Sequence, residues 1–315
     1  MKRVVDDERM MLKVCDLYYN QDLGQREIAS IMDLSRPTVS RLLSNARERG
    51  IVRIILADLT GRNHFDLEQQ LEKKYGLKEA ILTESYEDRE LLQNEIGRMA
   101  AQYLERILKD GYSVGVSMGT TLAHIIPHIT ADYLRDLTFI PLVGGIGEAS
   151  TELYSNFLAE SMAKAFGGIS LALHAPAMVS RMQAKNELLQ EESIARVLAR
   201  TDDLQVALSG IGAPDESSTI IAAGYFSREM IEDLHRHHIC GDICMRYFDQ
   251  YGNLALYEHN QRVIGINIES LRRVPWSIGV AGGVKKANAI KGALAGRYIN
   301  VLITDIDCAK LLLAE

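Results

Sequence analysis

Cysteine is scarce in this sequence. Only four of the 315 residues are cysteine, at positions 15, 240, 244 and 308. A disulfide scaffold needs a denser set, so this number is typical of reduced thiols in a chain with an ordinary apolar core. Small disulfide-rich secreted proteins are therefore excluded. A single small module is excluded too, because the 315 residues exceed the length of about 100–150 that is typical of one domain.

Long apolar runs are absent as well. No run of about eighteen apolar residues occurs, although a helix needs that length to cross a bilayer. The chain begins MKRVVDDERMM, which has acids where a signal peptide has its apolar segment. With 47% apolar and 24% charged residues, the composition is that of a globular protein rather than a disordered one. The sequence therefore predicts a cytoplasmic protein with no membrane partner.

An overall positive charge is also missing. The formal net charge is −7, which by itself argues against a nucleic-acid partner. The charge is unevenly distributed, however, because residues 1–57 hold 10 Lys and Arg against 8 Asp and Glu, whereas residues 58–315 hold 25 against 34. Between Arg36 and Arg53 there are five arginines and one acid, Glu48. The acidity belongs to the larger segment and does not exclude a nucleic-acid-binding segment at the start.

The first 57 residues show the pattern of a small helical domain. Apolar residues recur at three- and four-residue spacing in residues 7–20, 25–32 and 36–48, which predicts three helices. Only Asp33-Leu34-Ser35 separates the second helix from the third. After a glycine, residues 51–56 are apolar enough to predict a strand.

Two helices joined by so short a turn are typical of a helix-turn-helix. Val39, Leu42 and Leu43 are predicted to face inward, which leaves hydroxyl side chains and arginines on the opposite face of the third helix. Such side chains contact phosphates and base edges in a major groove. Asp33 stands where a turn glycine is common, so the turn needs a residue that tolerates the left-handed conformation. The alternative is a three-helix bundle whose polar face is only solvated. The candidate DNA-binding residues are Gln25, Ser35, Arg36, Thr38, Ser40, Arg41 and Arg47.

The rest of the chain alternates helical and strand patterns. Residues 58–63 are polar and are interpreted as a linker to a second domain, residues 64–315. The alternation predicts an α/β fold with a mainly parallel sheet covered by helices on both faces. The predicted strands are 79–83, 112–116, 137–142, 169–174, 204–208, 242–247, 276–280 and 299–303. The predicted helices are 66–75, 88–109, 152–166, 185–199, 228–236, 284–295 and 306–314.

Glycine-rich loops follow four of these predicted strands. Gly115–Thr121 (GVSMGTT), which includes Ser117, leads from a strand into a helix and offers hydroxyls and backbone N–H groups to an anion. Residues 143–147, 209–212 and 279–283 repeat the pattern. The carboxyl ends of parallel strands meet at one edge, so the four loops together predict a ligand site there. Each loop taken alone is equally well explained as a tight turn without a ligand.

Charged and metal-ligating residues near the end of the chain leave alternatives open. Lys285 and Lys286 open a helix, where cations are disfavoured unless they pair with a bound anion or point into solvent. His235–Cys244 holds five potential zinc ligands, but no second pair follows, so no metal site is predicted and Cys244 is interpreted as an apolar strand residue. Asp242, near the start of that strand, could bind two sugar hydroxyls or cap a turn.

Taken in order, several stretches resemble the SorC family of bacterial sugar-responsive transcription regulators over nearly the whole chain. Each motif alone is weak, but their order and spacing are specific. The stretches are YYNQDLGQREIASIMDLSRPTVSRLLSNARERGIVRI, GVSMGTT, GGIGE, GIGAPDESSTIIAAGY, GDICMRYFDQYGN and AGGVKKANAIKGALAGRYINVLITD.

The resemblance implies a DNA-binding domain joined to a Rossmann-like effector domain that is related in fold to sugar-phosphate isomerases and deaminases. It implies a dimer or tetramer whose effector is a sugar, a polyol or a sugar phosphate. The effector-binding residues that it implies are Gly119, Thr120, Thr121, Gly144, Gly145, Thr219, Asp242 and Lys286.

The leading functional hypothesis is a transcription regulator with no enzymatic activity and no cofactor, which acts on a palindromic operator of a carbohydrate-utilisation operon and associates with the nucleoid when bound. The alternative is a sugar-phosphate isomerase- or deaminase-like enzyme with an appended DNA-binding domain, in which Asp242 or Glu148 would be the base. A purely structural protein does not account for the converging loops.

Overall fold

The structure is a computed structural model that describes residues 5, 7–53, 64–131, 134–145, 151–214, 228–254 and 257–314. The chain divides into two compact units, residues 1–61 and 62–315. The interpreted linker, residues 58–63, lies outside the described residues, as does Thr219.

The first unit contains three helices, α1 (Glu8–Tyr19), α2 (Gln25–Ile31) and α3 (Arg36–Glu48). The side chain of Asp7 accepts a hydrogen bond from the N–H of Met10 at the start of α1, and Ser35 does the same for Thr38 at the start of α3. The apolar faces of all three helices meet in one buried cluster. Its fully buried members include Met11, Val14, Ile28, Val39 and Leu42. The three predicted helices are therefore confirmed, with ends shifted by at most a residue or so.

The turn between α2 and α3 depends on Asp33. Its φ is 52°, a left-handed conformation that an aspartate tolerates better than most residues do. The N–H of Leu34 then donates to the carbonyl of Ala29 at 2.9 Å and closes the turn. The strand predicted for residues 51–56 is not found where it can be checked, since residues 51–53 form a bend and an irregular residue and the remainder lies outside the described part.

In the part of the chain that the structure describes, the second unit contains seven parallel strands, which confirms the predicted mainly parallel sheet. These strands are β1 (Glu79–Thr83), β2 (Ser113–Val116), β3 (Thr138–Pro141), β4 (Ile169–Ser170), β5 (Val206–Gly212), β8 (Trp276–Val280) and β9 (Val301–Asp305). Their order across the sheet is β1-β9-β8-β5-β2-β3-β4, and every neighbouring pair is parallel. β6 (Ile239–Ile243) and β7 (Arg246–Asp249) form a hairpin that joins the sheet antiparallel to the end of β5.

Helices cover both faces of this sheet. They are α4 (Phe65–Tyr75), α5 (Arg89–Ile107), α6 (Thr120–Ala123), α7 (Ser155–Phe166), α8 (Met182–Gln190), α9 (Glu192–Ala199), α10 (Arg228–Arg236), α11 (Ile268–Leu271), α12 (Ala287–Ala295) and α13 (Ile306–Leu313). Successive strand residues point to opposite faces. On β9, Val301 and Ile303 enter the cluster under α5 and α7, whereas Leu302 enters the cluster under α4, α12 and α13. Both faces are thus buried, as a parallel sheet requires.

Two sequence predictions in this unit are wrong. The strand predicted for residues 242–247 is a hairpin, because Cys244 and Met245 have φ of 50° and 58° and turn the chain between β6 and β7. Cys244 therefore lies in a turn, and Asp242 lies near the end of its strand rather than near the start. The helix predicted for residues 185–199 is two helices, α8 and α9, because the chain is extended at Glu191 with a ψ of 121°.

Candidate functional site

A cavity of about 560 Å³ opens at the carboxyl ends of β1, β2, β5, β8 and β9. This is the edge at which ligands bind in open α/β sheets, and the volume lies within the range that holds small molecules. The polar and charged residues that line it are Ser85, Tyr86, Glu87, Arg89, Gln93, Ser117, Thr120, Thr121, Asp242, Cys244, Lys285, Lys286, Asp305 and Asp307.

Asp242 is a buried acid of the cavity, with 8% of its surface exposed. It lies on β6 directly opposite Gly212 on β5. A Cβ at position 212 would lie 1.8 Å from Oδ1 of Asp242, so only glycine leaves room for the carboxylate. Burial raises the pKa of Asp242 to about 6, while Lys286 and the N–H of Met245 act in the opposite direction. At neutral pH the Asp242 carboxyl group is therefore mostly ionised and can accept hydrogen bonds.

The segment before α12 carries Lys286 into the cavity, and Asp305 fixes that segment. Asp305 ends β9 and is 1% exposed. Its Oδ1 accepts from the N–H of Gly283 at 2.5 Å, and its Oδ2 accepts from Ser85 Oγ at 2.9 Å and from the N–H of Cys308 at 3.1 Å. One carboxylate thus joins the segments that follow β1 and β8 to the start of α13.

The β2 loop and the short helix α6 form the opposite wall. Gly119 has a φ of 132°, and Thr120 begins α6. Gln93 on α5 donates from Nε2 to Oγ1 of Thr120 at 3.0 Å. α5 approaches α6 so closely that a Cβ at Gly97 would lie 2.3 Å from the carbonyl oxygen of His124.

A buried thiol completes the cavity wall. Cys244 Sγ lies 3.6 Å from Ser209 Oγ, and burial raises the pKa of this thiol. Burial also raises the pKa of Cys240 to about 11. Both side chains are therefore protonated at neutral pH and are poor nucleophiles or metal ligands. Within the described ranges, no three His, Cys, Asp or Glu side chains are grouped to hold a metal ion.

The structure brings together most of the effector residues chosen from the sequence, but not all of them. Ser117, Gly119, Thr120, Thr121, Asp242 and Lys286 line the cavity. Gly144 and Gly145 do not line it, and their N–H groups donate to the carbonyls of Ile264 and Ala175 at 3.0 and 2.9 Å. Sequence reasoning missed Ser85, Gln93 and Asp305. Ser85 lies two residues after β1 and Asp305 ends β9, which was a usable signal, whereas nothing marked Gln93 within α5.

The candidate DNA-binding residues of the first unit lie together on α3 and next to it. Ser35, Arg36, Ser40, Arg41 and Arg47 are exposed, whereas Gln25 and Thr38 are half-buried. Arg36, Arg41 and Arg47 are not in an ion pair with any residue that the structure describes. The hydroxyls of Ser35 and Thr38 lie 2.8 Å apart, and Ser35 also caps α3. These two side chains therefore have a structural role whether or not DNA is bound.

Comparisons with known proteins identify a class that combines these two parts. A family described as "Putative sugar-binding domain" matches residues 61–314. The sorbitol operon regulator of Klebsiella pneumoniae is 34% identical over 313 residues, which are 98% of each chain. The deoxyribonucleoside regulator of Bacillus subtilis is 33% identical over 311 residues, 98% of this chain and 99% of the other.

Solved structures agree in fold. The full-length sorbitol operon regulator SorC of K. pneumoniae superposes with a TM-score of 0.74 at 34% identity and covers 98% of this chain and 99% of its own. The protein is thus of the class of transcriptional regulators that carry a sugar-binding domain. The chain belongs to the SorC family of these regulators. Among the residues that the structure describes, no helix is both long enough and apolar enough to span a membrane.

Proposed function

We propose that this protein binds operator DNA through α3, and that its affinity for the operator changes when a sugar, polyol or sugar phosphate binds in the cavity. The observation that carries the proposal is the buried Asp242 carboxylate beside Lys286 in a strand-end cavity. An ionised carboxylate accepts hydrogen bonds and therefore suits a polyhydroxylated ligand, and the cation suits an oxyanion.

DNA recognition is assigned to the exposed face of α3. Arg36, Arg41 and Arg47 project from one short helix whose opposite face is buried through Val39, Leu42 and Leu43. A recognition helix that enters the major groove needs this division between a packed face and a donor-rich face. Arg41 lies near the middle of α3 and is the residue to which we assign base contact.

Effector chemistry is assigned with the help of the relatives. One relative is by name a regulator of a sorbitol operon and another a deoxyribonucleoside regulator. We infer a ligand of the same classes for this chain: a polyol, a sugar or a phosphorylated form of either. The cavity is large enough for each of them.

We further propose that the protein acts as a dimer or tetramer on a palindromic operator, because symmetric subunits read symmetric half-sites about 10 bp or a multiple of it apart. Such a protein works in the cytoplasm, where the operator is. The cavity is proposed to bind its ligand without turnover, in keeping with relatives that are regulators by name.

The test is thermal unfolding of the full chain with a panel of sorbitol, sorbitol 6-phosphate, 2-deoxyribose and 2-deoxyribose 5-phosphate, together with gel shifts on operator DNA. We expect at least one compound to raise the unfolding temperature of the sugar-binding unit and to change operator affinity. Asp242→Ala should abolish that temperature shift. A compound that stabilises Asp242→Ala as well as the unmodified chain would remove Asp242 from the site, and product formation from any phosphate would indicate an enzyme.

A further inference from the structure

Gln93 is a cavity residue to which the assignments above give no role. It lies on α5, is half-buried, and donates from Nε2 to Oγ1 of Thr120 at 3.0 Å. We propose that Gln93 is a positioning residue: by occupying the oxygen of Thr120, it leaves the Thr120 hydroxyl hydrogen to donate to an oxyanion of the effector. The inference rests on the proposed function only in taking this cavity as the effector site.

The contact between Gln93 and Thr120 is fixed by the backbones of two helices. Gln93 and Gly97 are four residues apart on α5 and share one face, and Thr120 and His124 stand in the same relation across α6. Because Gly97 has no side chain, the backbone of α5 can pack directly on the carbonyl group of His124. One turn earlier, this packing brings the longer Gln93 side chain within reach of the Thr120 hydroxyl.

The carbonyl oxygen and the hydroxyl oxygen of Thr120 each have a hydrogen-bond partner. Its carbonyl oxygen accepts from the N–H of His124 at 3.3 Å and lies 2.8 Å from His124 Nδ1. Its Oγ1 accepts from Gln93. A hydroxyl that accepts on its oxygen still has one hydrogen to donate, and the incoming amide bond polarises that donor. The residue can therefore offer a hydrogen bond to a ligand in the cavity that it lines.

Donor and acceptor positions in the cavity are thereby separated. The buried Asp242 carboxylate accepts from ligand hydroxyls, whereas the Thr120 hydroxyl donates to ligand oxygens that carry no hydrogen. Glu87 and Asp307 also line the cavity, so net charge alone does not decide where an oxyanion binds. The hydrogen bond from Gln93 adds a directional donor, the Thr120 hydroxyl, to the attraction of Lys286 for an oxyanion.

The test uses inorganic phosphate as the probe, with chloride at equal ionic strength as the reference, and thermal unfolding of the full chain as the readout. Sorbitol and sorbitol 6-phosphate form a second pair of arms, which distinguishes a free phosphate from a phosphoryl group on a polyol. The variants are Gln93→Met, which removes the donor, Gln93→Glu, which can only accept when ionised, and Thr120→Val. Gln102→Glu is the matched control, since Gln102 is an exposed glutamine on the same helix and does not line the cavity.

We expect phosphate to raise the unfolding temperature of the unmodified chain and of Gln102→Glu equally. The apparent phosphate affinity should fall about fivefold in Gln93→Met, the size of one neutral hydrogen bond, and further in Gln93→Glu. In a Thr120→Val background, Gln93→Met should have no additional effect, because its role passes through that hydroxyl. Stabilisation by sorbitol 6-phosphate should depend on Gln93 and Thr120 in the same way, whereas stabilisation by sorbitol should not.

Three results would overturn the proposal. The first is a chain that phosphate stabilises no better than chloride. The second is independent, multiplicative losses from Gln93→Met and Thr120→Val. The third is a Gln93→Met variant that melts lower in chloride but keeps its phosphate affinity, since that is the signature of a merely structural residue. If phosphate responds as expected but no compound changes operator binding, the proposed function fails and the role of Gln93 stands.

Discussion

At the scale of single residues, Arg41 offers the most direct test of DNA recognition. Arg41→Ala should weaken specific operator binding by about 5- to 150-fold, because a lost arginine contact to a base edge costs about 1–3 kcal/mol. The unfolding temperature should stay the same, since the side chain is exposed. Gel shifts and thermal melts measure the two effects. Arg9→Ala, an exposed arginine on α1, is the control, and full affinity in Arg41→Ala would disprove the recognition-helix assignment.

Asp242 should make the stability of the unliganded protein depend on pH. Its pKa is about 6 in the folded chain against an ordinary 3.8, so the folded state binds the proton more tightly than the unfolded state does. The resulting stabilisation is present below the ordinary pKa and is lost as pH rises through about 6, and it amounts to about 3 kcal/mol in all. Urea unfolding between pH 4 and pH 7 measures it. Asp242→Asn should flatten this dependence, and equal slopes for the two proteins would contradict the assignment.

At the scale of secondary-structure elements, the packing of α5 on α6 is sensitive to the addition of a single methyl group. Gly97→Ala places a Cβ 2.3 Å from the backbone oxygen of His124 and forces the helices apart. Helix propensity alone would make this substitution stabilising by about 1 kcal/mol. Overpacking should instead destabilise the chain by about 1–3 kcal/mol, measured by chemical unfolding. A more stable Gly97→Ala variant would show that the two helices separate at little cost.

Most elements of this fold could be predicted from the sequence, for a physical reason. Strands β1 and β8 are flanked by turn residues and consist mostly of buried apolar residues, so a short, largely apolar segment marks each of them. The hairpin β6–β7 could not be predicted in this way. Two-residue hairpin turns are usually marked by asparagine or glycine, whereas here Cys244 and Met245 adopt the left-handed conformation inside an apolar run. An apolar pattern alone cannot distinguish that turn from a continuing strand.

The cavity residues also fall into two groups: some could be identified from local sequence motifs, and others depend on contacts between segments far apart in the chain. Thr120, Asp242 and Lys286 were predictable because they belong to local motifs at strand ends or helix starts. Gln93 was not predictable, since its role depends on the approach of α5 to α6, 27 positions away along the chain. Gly144 and Gly145 belong to a glycine-rich loop of the expected kind, but their N–H groups bond to other backbone segments.

At the scale of the whole molecule, the uneven charge should appear in the salt dependence of operator binding. The negative total of −7 suggests weak attraction to DNA, but charges beyond about 10 Å are screened at about 0.1 M salt, so the local arginines of α3 dominate. Operator affinity should fall steeply between 50 and 200 mM salt, on the order of 0.9 log units of affinity per log unit of salt for each phosphate contact. Arg47→Ala should reduce the magnitude of that slope by about 0.9, the contribution of one phosphate contact. A slope that Arg47→Ala leaves unchanged would remove Arg47 from the phosphate contacts.

The pairing of Gly212 with Asp242 has a consequence for how this protein can diverge. Because any side chain at position 212 would occupy the place of the Asp242 carboxylate, a mutation at one position changes which residues are tolerated at the other. A lineage that acquires a larger residue at 212 has to lose the acid at 242, and with it the side chain that we propose to bind ligand hydroxyls. A change of ligand preference at this point is therefore a two-step event whose order matters: the acid is lost first, and the space is filled afterwards.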